Sequence, residues 1–472
     1  MKISISNKSK KTYSQILSFF TEKTWEQSKK SFPKSTTHFF SGKKSETFVI
    51  ATEKSVQYLV GLGKDIWDFE IQKTANDFSQ KNKKNLQSVT TKIEAENLSN
   101  SQFEELIKGL FLGTYQYPFQ PEHPFWNDDF NFQTSNFTQN DLDEISEKTL
   151  ALCKGQFSAM DWLNKPANFK KTNDISAFLK DISKKYKFQY TAFGRKECEK
   201  LGLGAFVSVN QGSSMDCAFT IIEYKSSTKN AKTIGLVGKC VLFDTGGISL
   251  KNPDNMHYMK SDMGGATAVI GTLISTAEQK IPVNIIAILP ITDNAISEKA
   301  YLPSDVVTAY NGKTIEVLNT DAEGRMTLAD ALSYLSKNYK TDALIDLATL
   351  TGSAVRMFGD TCGAMFSNNE NLKNSLMKSA DKTNQRLWNL PLWDIWKEDF
   401  RSDVADFKNI SMKPIGDCIV AAKFLEQFTE NHPNWAHLDI AGVAFGNVNY
   451  AKEKAATGYG IQLLLNFIEN FR

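Results

Sequence analysis

Apolar positions along this chain follow two periods, and the change from one to the other marks out its elements. Thr47-Phe-Val-Ile-Ala51 and Tyr58-Leu-Val60 have the β-branched and aromatic content of strands. Phe103, Leu106, Ile107, Leu110 and Phe111 fall at the three-and-four spacing of one helical face, and Ser101-Gln-Phe-Glu104 predicts a capping box that opens this helix. A Pro- and aromatic-rich stretch at 117–140, interrupted by Pro118, Pro121 and Pro124, predicts a connection between domains. Beyond it, residues 234–237, 283–289 and 343–347 are continuous apolar runs of the kind found in buried strands, and they alternate with helical patterns at 265–277 and 328–335. The alternation predicts an α/β fold whose second half holds a mostly parallel or mixed sheet sandwiched by helices. Such folds place their sites at strand ends.

Two short runs at those expected strand ends concentrate chemistry. Lys239-x4-Asp244-Thr-Gly-Gly is followed by Lys251 and Asp262, and Asn319-Thr-Asp321-Ala-Glu323-Gly-Arg325 comes later. Hard divalent cations take oxygen ligands, and a pair of them needs carboxylates that bridge as well as carboxylates that terminate. Asp244, Asp262, Asp321 and Glu323 are enough for that. In an extended chain Asp321 and Glu323 would point to the same side, while Gly246-Gly247 and Gly324 would let the backbone turn beside the ligands. Carboxylates this close repel one another, so cations or protons must sit among them. Lys239 and Lys251 each admit two roles: a desolvated neutral nitrogen that ligates a metal, or a charged group that stabilises an oxyanion. The apolar residues flanking Lys239 argue against a solvated position for it.

These blocks, Lys239-Cys-Val-Leu-Phe-Asp244-Thr-Gly-Gly-Ile-Ser-Leu-Lys251, Met259-Lys-Ser-Asp262-Met-Gly-Gly and Asn319-Thr-Asp321-Ala-Glu323-Gly-Arg325-Met326, resemble the signature of the M17 leucyl aminopeptidase family of dinuclear metallo-exopeptidases. The likeness runs from Asn164-Lys-Pro-Ala-Asn168 through Ala348-Thr-Leu-Thr-Gly352 and Trp435-Ala-His-Leu-Asp-Ile-Ala-Gly442, and the first third offers only Gly109-Leu-Phe-Leu-Gly113. The resemblance implies one metal site from Lys239, Asp244, Asp262 and Glu323 and another from Asp244, Asp321 and Glu323, filled by Zn²⁺ or Mn²⁺, with Co²⁺ and Mg²⁺ as further candidates. It implies Lys251 as an electrophile beside the scissile carbonyl and a bicarbonate on Arg325 as general base. Met259, Asn319, Ala322, Thr349, Leu350 and Gly352 match positions lining the family's pocket for the first side chain, and a leucine preference is implied with them. Also implied are a smaller N-terminal α/β domain at 1–135, a connecting helix or linker region at 136–163, a catalytic domain at 164–472, and a homohexamer. Guanidinium suits a planar anion because its donors form a fixed fork. The chain has six arginines and the first is Arg195, so one placed directly after the acidic pair carries weight.

Three departures from the family pattern stand out: Cys240, where glycine is common, Thr245, where serine is usual, and His257, where an acid is common. None removes a ligand. The five histidines show no HExxH spacing, which disfavours a zincin. Asn311-Gly-Lys-Thr314 lacks the upstream glycine of a phosphate loop, since Val307 stands there, and no G-x-S-x-G elbow occurs.

Composition sets the background. A length of 472 residues exceeds one ordinary core and predicts two domains. The net charge of +2 predicts neither nucleic-acid nor membrane binding, and six cysteines without paired spacing fit a reducing compartment. The apolar material near the N-terminus is too short for a signal segment, so the chain reads as cytoplasmic. Peptides are the expected substrates. The alternative is a catalytically silent binding protein that acts through its lysine-rich first domain.

Overall fold

The computed structural model describes every residue except 1–2, 8–12, 65, 88, 96–97, 118–129, 136, 414 and 472. The proline-rich part of the expected interdomain connection lies outside the described residues. The chain forms two compact units, Met1–Cys153 and Lys154–Arg472, and the division falls within the helix Gln139–Asn164.

The first unit is built on a six-stranded sheet. Its order is Ile3–Ser6, Phe130–Gln133, Thr90–Glu94, Gln15–Thr21, Val56–Gly63 and Thr47–Ala51, parallel throughout except for the last, antiparallel pair. Helices Asp68–Lys81 and Asn100–Leu112 pack closely because Gly109 has no side chain: a Cβ there would lie 2.2 Å from the Gln72 carbonyl oxygen. The predicted apolar face of the second helix is fully buried. Its capping box is not the predicted one. Ser99 caps the Gln102 N–H and Gln102 reaches back to the Ser99 N–H, two residues before Ser101 and Glu104. Both serines precede a suitable partner at the right spacing, and the helix starts at the earlier one.

The second unit carries a nine-stranded mixed sheet. Its path runs Leu387–Asn389, Gly363–Ser367, Trp435–Asp439, Ala343–Ala348, Thr233–Gly238, Asn284–Asn294, Ala218–Tyr224 and Gln189–Gly194, with Cys240–Asp244 added parallel to the end of Asn284–Asn294. Four adjacent central strands, from Trp435–Asp439 to Asn284–Asn294, are parallel. Helices cover both faces. Gly235 and Gly238, three residues apart in one strand, face opposite sides: a Cβ on the first would meet Leu335 of helix Glu323–Asn338, and on the second Ala266 of helix Gly264–Gln279. The C-terminal ends of the parallel strands therefore converge on one edge, and the signature residues are there. Among the described residues, no helix is long and apolar enough to cross a membrane.

Candidate metal centre

The two signature runs, distant in sequence, meet at that edge. Lys239 lies between the strands Thr233–Gly238 and Cys240–Asp244, where its N–H bonds the Leu347 carbonyl at 3.0 Å. Asp244 ends the second of these strands and pairs in register with Asn294. The chain then turns sharply through Gly246 (φ +87°) and Gly247 (φ +62°), a conformation open to glycine at little cost. A Cβ on Gly246 would also come within 2.9 Å of Asp321 Oδ1. Asp262 follows the 3₁₀ turn Met256–Ser261. Asp321 lies in a second such turn, Thr320–Ala322, and Glu323 opens the helix that follows. The two acids therefore converge through a helical entry and not through the extended chain that their spacing suggested.

One ligand atom from each of Asp244, Asp262 and Glu323 falls within a mutual 4.8 Å, and all three residues are buried. Lys239 Nζ sits 2.7 Å from Asp262 Oδ2 and 2.8 Å from Glu323 Oε1, and it also donates to the Thr349 carbonyl at 3.0 Å. Lys251 Nζ lies 2.7 Å from Asp244 Oδ2 and contacts Asp321 as well. The nest is graded. Lys239 keeps 3% of its side chain exposed, whereas Lys251 keeps 22% and Asp321 32%, so the Lys251 side is the open one.

Electrostatics follows from this crowding. Burial opposes the charge on Lys239, but Asp262, Glu323 and Asp244 outweigh it and hold the ammonium above the ordinary lysine range. Lys251 is raised in the same way by Asp244, Glu323 and Asp321 against its own burial. Burial drives the Asp262 carboxyl well above the usual range, with Glu323 and Asp244 adding to it, and burial followed by Asp244 pushes Asp321 up to about 6. Four carboxylates face two ammoniums, and Glu323 Oε2 is buried without a hydrogen-bond partner. An orphaned buried carboxylate oxygen in a surplus of negative charge fits hard divalent cations.

The expected pocket residues fall into two groups. Thr349 bonds Asp262 Oδ1 through its hydroxyl at 2.8 Å, Asn319 Oδ1 accepts the Asp321 N–H, and Leu350 lies against the space beside Gly324. Ala322 is buried between the two acids. Met259 lies within the 3₁₀ turn that precedes Asp262, and Gly352 opens the helix Gly352–Phe358. Arg325 has partners of its own: Nη1 donates to the Asn409 carbonyl at 2.9 Å and Nη2 to Asp417 Oδ1 at 3.1 Å.

Several supporting residues were missed in the sequence. Asn294 Nδ2 donates to Asp244 Oδ1 at 2.9 Å and to the Thr320 carbonyl at 3.0 Å, linking the two runs, and Tyr301 reaches the same carbonyl. A polar residue closing a long apolar run was the available signal for Asn294. Asp439 accepts from the Leu350 N–H and the Thr351 hydroxyl and so fixes the loop that carries Thr349. Lys170, 1% exposed, donates to the Lys260 carbonyl and steadies the turn before Asp262. Of the departures, Cys240 is fully buried with its thiol pushed up to about 12 by burial, an inert filler. Thr245 bonds the Asn294 carbonyl, and His257 is exposed against Tyr258.

Comparison with known proteins agrees with this geometry. Residues 157–465 match the model of peptidase M17, the cytosol aminopeptidase family catalytic domain. The chain is 44% identical to a "Probable cytosol aminopeptidase" of Chlorobium limicola over 316 residues, covering 67% of this chain and 62% of that protein's length. It is 40% identical to the protein of the same name from Rickettsia massiliae over 382 residues, covering 79% and 76%. The solved structure of the bottromycin maturation enzyme BotP in complex with Mn superposes with a TM-score of 0.86 at 25% identity, covering 98% of this chain and all of that one. The motifs, the strand-end nest and these matches lead to one family: the chain belongs to the M17 cytosol aminopeptidases.

Proposed function

We propose that the protein is a metal-dependent aminopeptidase that removes the N-terminal residue of short peptides in the cytoplasm. The carrying observation is the buried convergence of Asp244, Asp262 and Glu323, with Glu323 Oε2 left without a partner. The names of the curated relatives and the manganese complex of the structural neighbour support it.

In this reading a divalent ion, taking the place of the proton that the carboxylates hold on Lys239, would be bound by the neutral Lys239 amine with Asp244, Asp262 and Glu323, and Asp244, Asp321 and Glu323 would hold a second. When bound, such a pair polarises a carbonyl and lowers the pKa of water from near 16 toward about 7. Asp262 and Thr349 mark the closed end of the nest, where the substrate's free α-amine is anchored, and this restricts cleavage to the N-terminus. Lys251, on the open side and held charged by its neighbours, donates to the oxygen of the scissile carbonyl as negative charge develops there. Met259, Asn319, Ala322, Thr349, Leu350 and Gly352 border the space for the first side chain, and the apolar members favour a residue such as leucine. The family's hexamer is the assembly we propose. The bicarbonate that the family resemblance assigns to Arg325 meets a guanidinium already engaged by Asp417.

Hydrolysis of leucyl p-nitroanilide tests the reading. Activity is expected to vanish after exhaustive chelation and return with Mn²⁺ or Zn²⁺. Turnover that survives chelation would remove the metal from the mechanism.

A further inference from the structure

We propose that Asp439 is a positioning residue for the metal centre: through Leu350 and Thr351 it sets the place of Thr349, and so governs the affinity of the ion held with Lys239 and Asp262 without governing that of its neighbour at Asp321. The inference rests on the two-ion reading above.

Strands Ala343–Ala348 and Trp435–Asp439 run parallel and end side by side, with Ala348 opposite Asp439. The Ile440 N–H bonds the Ala348 carbonyl at 2.8 Å, and there the pairing of the two backbones stops. From Thr349 to Thr351 the chain belongs to no strand, and the Asp439 side chain reaches across to take its donors. Oδ1 accepts the Leu350 N–H and the Ala441 N–H, each at 3.2 Å, and Oδ2 accepts the Thr351 hydroxyl at 2.5 Å. Two residues back along the same pair of strands, His437 Nδ1 lies 2.5 Å from Asp346 Oδ1, and Trp435 Nε1 donates to Asp346 Oδ2 at 2.8 Å. All three of these residues are fully buried, so the strand that carries Asp439 is fixed from behind.

What Asp439 holds bears on one side of the nest. Thr349, next to Leu350, gives its hydroxyl to Asp262 Oδ1 at 2.8 Å and accepts Lys239 Nζ on its carbonyl at 3.0 Å. With the lysine bound to an ion as a neutral amine, an N–H tied to that carbonyl leaves the lone pair for the nest, and the Thr349 hydroxyl fixes the turn of the Asp262 carboxylate. The open side is held by other residues: the Asp321 N–H by Asn319 Oδ1 at 2.8 Å and the Lys251 N–H by the Thr245 carbonyl at 3.0 Å. Each hydrogen-bond partner of the Asp439 carboxylate is a donor, which makes its charge necessary as well as its shape. In Asp439→Asn the amide NH₂ must face either the two N–H groups or a Thr351 oxygen that already accepts the Ala354 N–H at 3.2 Å and the Ser353 hydroxyl at 3.3 Å.

Calorimetric titration of the metal-free full chain with Mn²⁺ tests the inference, and anomalous diffraction from Mn²⁺-soaked crystals says which ion is lost. The wild-type protein is expected to bind two ions. Asp439→Asn and Thr351→Val are each expected to weaken one ion by about ten- to a hundredfold and to leave the other as in wild type, with the anomalous peak fading between Lys239 and Asp262 and persisting at Asp321. Thr351→Ser keeps the hydroxyl and is expected to bind both ions as wild type does, a rescue that separates positioning from a general loss of stability. Equal weakening of both ions, loss at Asp321 alone, or unchanged binding in both Asp439→Asn and Thr351→Val would overturn the proposal. Should Asp439→Asn not fold, the two Thr351 variants decide. A wild-type protein that binds no ion brings down the metal reading and this inference with it, whereas two wild-type ions unmoved by the substitutions bring down the inference alone.

Discussion

Glu323 is common to both proposed ion sites: one carboxylate oxygen is paired with Lys239 and the other is buried and bare. Replacing it with glutamine keeps the shape and removes the charge, so Glu323→Gln is expected to lower kcat by several orders of magnitude and to weaken metal binding in an equilibrium titration. A variant that retains wild-type turnover would exclude Glu323 as a bridging ligand. Lys251 differs because it is half-open. If it acts on the developing oxyanion, Lys251→Ala lowers kcat by about a hundredfold or more with a smaller change in KM, whereas an effect confined to KM reassigns it to substrate binding. The acids and both lysines were legible in the sequence because the ligand chemistry restricts them to a few residue types in short runs. Asn294, Asp417, Asp439 and Lys170 were not, since each acts across a long stretch of chain from an element whose own pattern gives no reason to single it out.

Elements decide whether those side chains can meet. The helix Glu323–Asn338 starts so close to Lys239 that a Cβ on Gly324 would lie 2.6 Å from Lys239 Cε and 2.7 Å from Nζ. Gly324→Ala gains about 1 kcal/mol of helix propensity, yet it must push Lys239 away from Asp262 and Glu323. The expected result is a folded protein with thermal stability near wild type and at least tenfold weaker metal affinity, read by calorimetric titration. Unchanged affinity would show that Lys239 is free to move. The same helix carries Asp330, fully buried, which accepts the Phe206 and Tyr310 N–H groups and is pushed up to about 7 by burial. Its folded-state pKa is raised, so the fold favours the protonated carboxyl, and the stability it contributes falls as pH rises from about 4 toward 7. Asp330→Asn is therefore expected to be less stable than wild type at pH 5, with the gap narrowing by pH 8 in chemical denaturation. A gap that widens with pH would reverse the assignment. Element types were readable from period, whereas their starts were less so. Ser99 outcompeted Ser101 as a cap, and the Asp321–Glu323 pair proved to be a helical entry because Asn319 caps the turn locally.

At the scale of the whole molecule, a parallel core brings several strand ends to one edge, and chemistry written in two runs of sequence becomes one nest. The α/β class and the mixed sheet followed from continuous apolar runs alternating with helical ones. Strand order did not, because pairing depends on long-range packing that no local pattern records: Cys240–Asp244 joins the end of Asn284–Asn294 while Thr233–Gly238, just before it, joins the same strand further back. The central claim is that this edge holds a pair of divalent cations. Anomalous diffraction from crystals of the full chain soaked in Mn²⁺ tests it most directly. Two peaks about 3.5–4 Å apart among Asp244, Asp262, Asp321 and Glu323 are predicted. No anomalous density among these four carboxylates would contradict the account.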